Sequence, residues 1–179
     1  AITKCQKEVA LRNIVVLELL FSTGMRVSEV SNLKTSAINL GDNTVRIFGK
    51  GSKERIMCIS DDLSKTISNY LVSRSQKSDY LLINRLGNRL SEQSIRYMVN
   101  DYANAVGAPL HITPHMFRHT FATELHNEDV DIRYIQQFLG HSSIATTQIY
   151  THISTSKTRE ILESKHPRNK MNLNFNKKE

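Results

Sequence analysis

Cysteine is scarce in this 179-residue chain, long apolar runs are missing, and the first residue is alanine, with no initiator methionine. Cys5 and Cys58 stand far apart without a paired spacing, which argues against a disulfide framework or a zinc site and leads us to expect a reducing compartment. No segment has the make-up of a signal peptide or the length of a membrane span, so a soluble cytoplasmic protein without membrane contact is expected. Internal repeats and low-complexity tracts are also missing. The Gly-rich run around Lys50 lacks a Gly-Lys-Ser/Thr ending and leads into a strand pattern, which rules out a Walker loop and leaves nucleotide binding unsupported. Starting at Ala1, the chain reads as an excised domain. What is present is a globular balance, 39% hydrophobic and 23% charged, enough for one domain with a proper core. Acids are the minority: 17 Asp and Glu face 24 Lys and Arg, and a net charge of +7 favours a polyanionic partner without specifying one.

Residues 8–21 are apolar almost all round, the pattern of a buried helix that Gly24 ends. Val27, Val30 and Leu33 space a second short helix, leaving Arg26 at the junction, where pairing with Glu29 is its ordinary fate. The period then changes over residues 43–59. Val45 and Ile47, then Ile56 and Cys58, alternate with Arg46, Arg55 and Met57 as antiparallel strands do, and the two glycines around Lys50 make a tight hairpin loop. Ser60 before Asp61 and Asp62, and Ser91 before Ile95 and Val99, mark two further helix starts. Between them, residues 80–83 read as a short strand and 84–88 as a turn. The fold class is mainly α with a small antiparallel β-sheet.

The chemistry concentrates in residues 113–150. Thr113 and Pro114 open a helix on which His115 and Arg118, three apart, share one face. An apolar Tyr134-Ile135-Phe138-Leu139 helix ends at Gly140, His141 follows, and Tyr150 closes the next segment. Two imidazoles, a guanidinium and a phenol suit an anion held beside a hydroxyl, and a phosphate fits. Taken singly, each has a plainer use: Tyr150 in helix packing, His115 in a core, His141 as a cation at a helix C-terminus. A last helix, residues 154–164, carries Ile161 and Leu162 in a stretch where, from Lys157 on, seven basic residues face three acidic ones.

Five segments in order carry a resemblance. Thr23-Gly24-Met25-Arg26-Val27-Ser28-Glu29-Val30, Gly49-Lys50-Gly51-Ser52-Lys53-Glu54-Arg55, His115-Met116-Phe117-Arg118-His119, Leu139-Gly140-His141 and Tyr150-Thr151-His152 together resemble the signature of the tyrosine recombinases, the phage integrase family, on its Xer-like branch. Their joint ordering outweighs the plainer readings. The resemblance implies a catalytic domain over residues 1–166, a basic flexible tail over 167–179, and no N-terminal core-binding domain in this chain. It also implies a bacterial, nucleoid-associated DNA strand transferase that needs no cofactor, metal or ATP.

By that resemblance the catalytic set is Arg26, Lys50, His115, Arg118, His141 and Tyr150. The arginines would clamp the scissile phosphate, the histidines hydrogen-bond it, Lys50 protonate the leaving oxygen, and Tyr150 attack as the nucleophile. Lys53 and Arg55 are expected as phosphate-positioning contacts, though solvated strand charges are the commoner use of such residues. The partner implied is double-stranded DNA, bound as a homo-tetramer through the segment after Tyr150, with room for accessory DNA-bending factors. The free protein is expected to be a monomer. Two other readings stand beside this one: a type IB topoisomerase with the same constellation, and a catalytically idle DNA-binding regulator, for which retaining all six residues would serve no purpose.

Overall fold

The computed structural model describes residues 4–49, 54–140 and 155–170. Helix α1 (Lys4–Thr23) is the central element, with Val15, Val16, Leu19 and Leu20 all fully buried. Its nearly all-round apolar sequence is explained by its neighbours, because α3 (Asp61–Ser73) and α5 (Pro114–Asn127) both pack against it. At Gly24 the backbone turns left-handed, with φ of 59°, and α1 stops. The short α2 (Val27–Asn32) follows.

The caps expected at Ser60 and Ser91 are in place, whereas Thr113, before Pro114, makes no side-chain capping bond. Ser60 Oγ accepts the Leu63 N–H at 3.2 Å to start α3, and Ser91 Oγ accepts the Ser94 N–H at 3.1 Å to start α4 (Glu92–Ala105). α3 turns Ile67 and Tyr70 into the core, where the Tyr70 hydroxyl accepts the Ile83 N–H at 3.3 Å. Pro114 sits in the first turn of α5, which buries Phe121 and Leu125. α6 (Ile132–Leu139) ends on Gly140 with φ of 62°. Among the described residues no helix is long and apolar enough to cross a membrane.

The sheet contains β1 (Ile38–Asn39), β2 (Thr44–Phe48) and β3 (Glu54–Cys58), antiparallel and in that order. Its register corrects the reading of β3. Val45 pairs with Met57 and Ile47 with Arg55, so Met57 and Arg55 lie on the inner face while Ile56 is 48% exposed. Periodicity gave the right elements but the wrong face. A one-residue choice of face turns every side chain over, and here it is settled from outside the strand, because Arg55 turns inward to meet the buried Glu29. The strand expected at 80–83 is reduced to isolated bridges, Lys34 with Tyr80 and Ile83 with Arg89.

The C-terminal segment seats on its own domain. Ile161 and Leu162 of α7 (Thr155–Lys165) are buried in the core of this same chain. The tail expected from residue 167 begins with a docked 3-10 turn, Pro167–Lys170, in which Arg168 Nε donates to Glu18 Oε2 at 2.9 Å. His166 fastens this turn. Its Nδ1 accepts the Arg168 N–H at 3.0 Å, so Nε2 carries the proton and donates to the Ser22 carbonyl at 2.6 Å.

Burial pushes the His166 pKa down, outweighing the Ser22 hydrogen bond, which raises it, and Arg168 adds to the lowering. Unfolded histidine titrates near ~6.5, so the unfolded state takes up the proton first, and His166 contributes its full stability only above that value. The contribution is lost as pH falls through the depressed folded value. The urea midpoint should therefore drop between about pH 7.5 and about pH 5, and His166→Gln should remove that part of the drop while costing about 1–3 kcal/mol at the higher pH. Gly24→Ala tests the same end of α1, two residues beyond Ser22. Its Cβ would lie 2.7 Å from Phe121 Cδ1 and 3.0 Å from Leu139 Cδ2 at a left-handed φ, and a loss of about 2–5 kcal/mol in urea unfolding, with an unchanged m-value, is expected.

Candidate active site

The turn between α1 and α2 and the first turn of α5 face each other across a cleft of about 320 Å³. Arg26, Arg118 and His115 line it. So do Arg96 from α4 and His111 from the loop before α5, and no acidic residue is among the described residues that line it. Three guanidiniums and two imidazoles around one hollow have the chemistry to hold an anion.

Arg118 is the fixed member, only 7% exposed. Its Nη1 donates to the Gly24 carbonyl at 2.7 Å and its Nη2 to the Leu139 carbonyl at 2.6 Å. Those carbonyls belong to the C-terminal ends of α1 and α6, where backbone acceptors lack helical partners and the helix dipole is negative. Two of its five N–H groups are thereby committed, and the others make no hydrogen bond among the described residues. Burial pushes its pKa down to about 10, with Arg26 and Arg55 also lowering it and Glu29 opposing them. At neutral pH it is still charged.

Arg26 is more accessible, with 42% of its side chain exposed, and it rests on Glu29. The Glu29 carboxylate accepts the Arg26 backbone N–H at 2.7 Å through Oε2, which caps α2, and the Arg26 Nη1 at 3.3 Å through Oε1. The ordinary pairing that the sequence suggested is present, yet it leaves the guanidinium on the cleft. From the opposite side Arg55 Nη1 and Nη2 donate to the two Glu29 oxygens at 2.9 and 2.8 Å. Burial alone would raise the Glu29 pKa, but the bonds and charges of Arg55 and Arg26 outweigh it and hold the carboxyl below its usual range.

His115, on the exposed side of the α5 first turn, shares the cleft with Arg118 as the three-residue spacing required. The structure thus brings together Arg26, His115 and Arg118. Lys50, Lys53, His141 and Tyr150 lie outside the described residues. Arg55, expected to reach phosphate, has its guanidinium turned in on Glu29, with 9% of the side chain exposed. Arg96 and His111 were not legible as site residues. Arg96 is bonded to Glu92 one turn earlier at 2.9 Å, which in sequence is an ordinary surface pair, and His111 has no motif around it. Only the approach of α4 to the α5 entrance places them on the cleft.

The phage integrase family pattern matches residues 1–157. A tyrosine recombinase of Agathobacter rectalis is 52% identical over 170 residues, covering 93% of this chain and 56% of that protein. The XerC tyrosine recombinase of Staphylococcus aureus is 41% identical over 165 residues, covering 90% of this chain and 55% of the relative. This chain therefore spans about half the length of these relatives. Among solved structures, the XerA recombinase superposes with a TM-score of 0.70 at 35% identity, covering 90% of this chain and 61% of that one. XerH bound to its difH substrate gives 0.70 at 31% identity, covering 86% of this chain and 46% of the other. An ordered signature, a cleft lined by basic side chains around a pinned arginine, and likeness over nine-tenths of the chain converge: the chain belongs to the phage integrase family, on its Xer-like tyrosine recombinase branch.

Proposed function

We propose that this domain cuts and rejoins double-stranded DNA at specific sites, through a covalent bond between Tyr150 and a 3′-phosphate. The observation that carries the reading is the cleft itself, in which the buried, pinned Arg118 meets the accessible Arg26 and His115 with no acidic residue among the described lining. A planar guanidinium binds two phosphate oxygens at once and keeps its charge at any working pH, which lysine does less well. In-line attack on a phosphodiester adds negative charge to the non-bridging oxygens in the transition state. Fixed cations there stabilise the transition state more than the ground state.

In this mechanism the Tyr150 hydroxyl oxygen attacks phosphorus and the bond to the 5′-oxygen breaks. A phenol with a pKa near ~10 is mostly protonated at neutral pH, so its proton passes to a base, here His115, in the field of the two arginines. His141 hydrogen-bonds a non-bridging oxygen. Lys50, on the hairpin loop, gives its proton to the leaving 5′-oxygen. The phosphotyrosyl ester conserves the phosphodiester energy, so attack by another strand's 5′-hydroxyl reverses the step with neither ATP nor metal. Lys53 contacts backbone phosphate beside the site.

Exchange of strands requires two duplexes and hence a tetramer, whereas the free domain, with α7 seated on its own core, is a monomer. Accessory DNA-bending factors are compatible with this assembly. The relatives are bacterial, and we place the reaction at the DNA of a bacterial cytoplasm. That XerH is solved on its difH DNA supports duplex DNA as the partner class. A type IB topoisomerase would share the residues but not the Xer-like context, and an idle regulator would have no use for the full set.

Incubation with nicked suicide duplexes carrying the DNA that flanks the gene, in EDTA, should give a covalent adduct on a denaturing gel. Tyr150→Phe should abolish it, and Arg118→Lys should slow it by about 100-fold or more. Tight binding without an adduct would favour the idle regulator, while an adduct that survives Tyr150→Phe would mean the nucleophile is another residue. Sedimentation should find a 20.4 kDa monomer in the free protein and four copies on paired duplexes. Persistence of monomers on cleaved DNA would contradict the tetramer.

A further inference from the structure

Arg55 is a largely buried cation, with 9% of its side chain exposed, that the reaction above does not use. It is the second residue of β3, beyond the hairpin loop that carries Lys50, and it faces inward against the alternation expected of its strand. Its guanidinium has two sets of neighbours. On one side it holds both oxygens of Glu29, the carboxylate that also takes the Arg26 backbone N–H and side chain. On the other it lies close against the Gly140 turn: a Cβ on Gly140 would be 2.9 Å from Arg55 Nη1, 3.4 Å from Cζ and 3.5 Å from Cδ. Leu139, the residue before that turn, supplies the carbonyl that pins Arg118.

We infer that Arg55 is a positioning residue that sets the two phosphate-binding arginines relative to one another, without touching DNA itself. The inference rests on the strand-transfer reading for its functional consequence and on the geometry for its content. Glu29 alone could hold Arg26 in several orientations, because a single carboxylate leaves a long side chain free to rotate. A bidentate partner fixes the carboxylate plane, and Arg26 is then fixed with it. The glycine at 140 has the complementary role. Its missing Cβ is the space into which the guanidinium fits, and its left-handed backbone is what turns the chain there.

The geometry also separates this role from a phosphate contact. A guanidinium bonded to both oxygens of a carboxylate has little net charge to offer an incoming anion. Its Nε is buried and makes no hydrogen bond among the described residues, so it has no open path to a duplex. A phosphate-binding arginine would contribute about one unit to the slope of log affinity against log salt; a buried one contributes none. Misplacing the clamp by ~1 Å would instead lower the rate at saturating DNA by as much as ~100-fold.

The test is Arg55→Lys in the full 179-residue chain. A lysine keeps a charge opposite Glu29, so the fold is retained, but it cannot hold both oxygens in a plane. Three quantities are measured: the arginine Nε–H resonances of Arg26 and Arg118 by NMR of the free protein, the salt dependence of binding to a nicked duplex, and the single-turnover rate of adduct formation at saturating duplex. The expected result is shifted Arg26 and Arg118 resonances, an unchanged salt slope, and a rate lowered about 100-fold. Gly140→Ala, which pushes the guanidinium from the other side, should reproduce all three if the lysine variant fails to fold. A salt slope reduced by about one with the rate at saturation intact would overturn the inference and make Arg55 a phosphate contact. Unmoved resonances would also overturn it. If the unmutated protein forms no adduct, the strand-transfer reading fails, and the resonances still decide whether Arg55 positions its neighbours.

Discussion

A buried arginine with no ion pair among the described residues needs another source of negative potential, and Arg118 finds it in two helix ends. Its guanidinium bridges the Gly24 carbonyl, just past α1, and the Leu139 carbonyl, the last residue of α6. Each helix terminus carries roughly half a negative charge, and each supplies an acceptor that its own helix cannot satisfy. The cation is thus stabilised from behind by dipoles, which leaves its front edge for a ligand. Had an acidic side chain done this work, it would compete with phosphate for the same N–H groups. The two left-handed glycines, Gly24 and Gly140, are required because both helices must stop at a point where their carbonyls converge.

The C-terminal end of α1 serves twice. Ser22 offers its carbonyl to His166, and Gly24 offers its own to Arg118, two residues on. Phe121 packs against both, its Cδ1 only 2.7 Å from where a Cβ at Gly24 would stand and its ring 5.8 Å from the His166 ring at a tilt of 60°. The turn that follows α7 is therefore tied to the same few residues that hold Arg118. Leverage of this kind needs no moving part. A shift of α1's last turn by a fraction of an ångström would change both anchors together, because packed interiors transmit displacement with little give.

Much of this was legible in sequence. The helices showed through periodicity and through Ser60, Ser91, Pro114 and the glycines, since capping and backbone conformation are local matters. The site was legible as spacing: His115 and Arg118 share a helix face and a cleft because three residues make nearly one turn. What failed was non-local. β3 was assigned the wrong face because Ile56 looked like the inward residue, and the carboxylate that draws Arg55 inward sits 26 residues away on α2. Ile161 and Leu162 lie in the segment after Tyr150 through which a tetramer was expected, and in the single chain its own core receives them. Nothing in the local sequence says which partner covers an apolar stripe.

Glu29 shows the same point from the energetic side. In sequence it was merely the residue three after Arg26, and that pairing argued against any role for the arginine. In the fold it is the shared counter-charge of Arg26 and Arg55, and its field also reaches Arg118. Like charges at such range repel, so Arg26 and Arg118 on one hollow, with Arg55 nearby, require compensation from a carboxylate that is not among the described residues lining it. Placing the carboxylate behind the arginines achieves both: Glu29 is buried, while Arg26 stands 42% exposed on the cleft. An ion pair that looked like an alternative to function is, in three dimensions, what allows the cations to face the cleft.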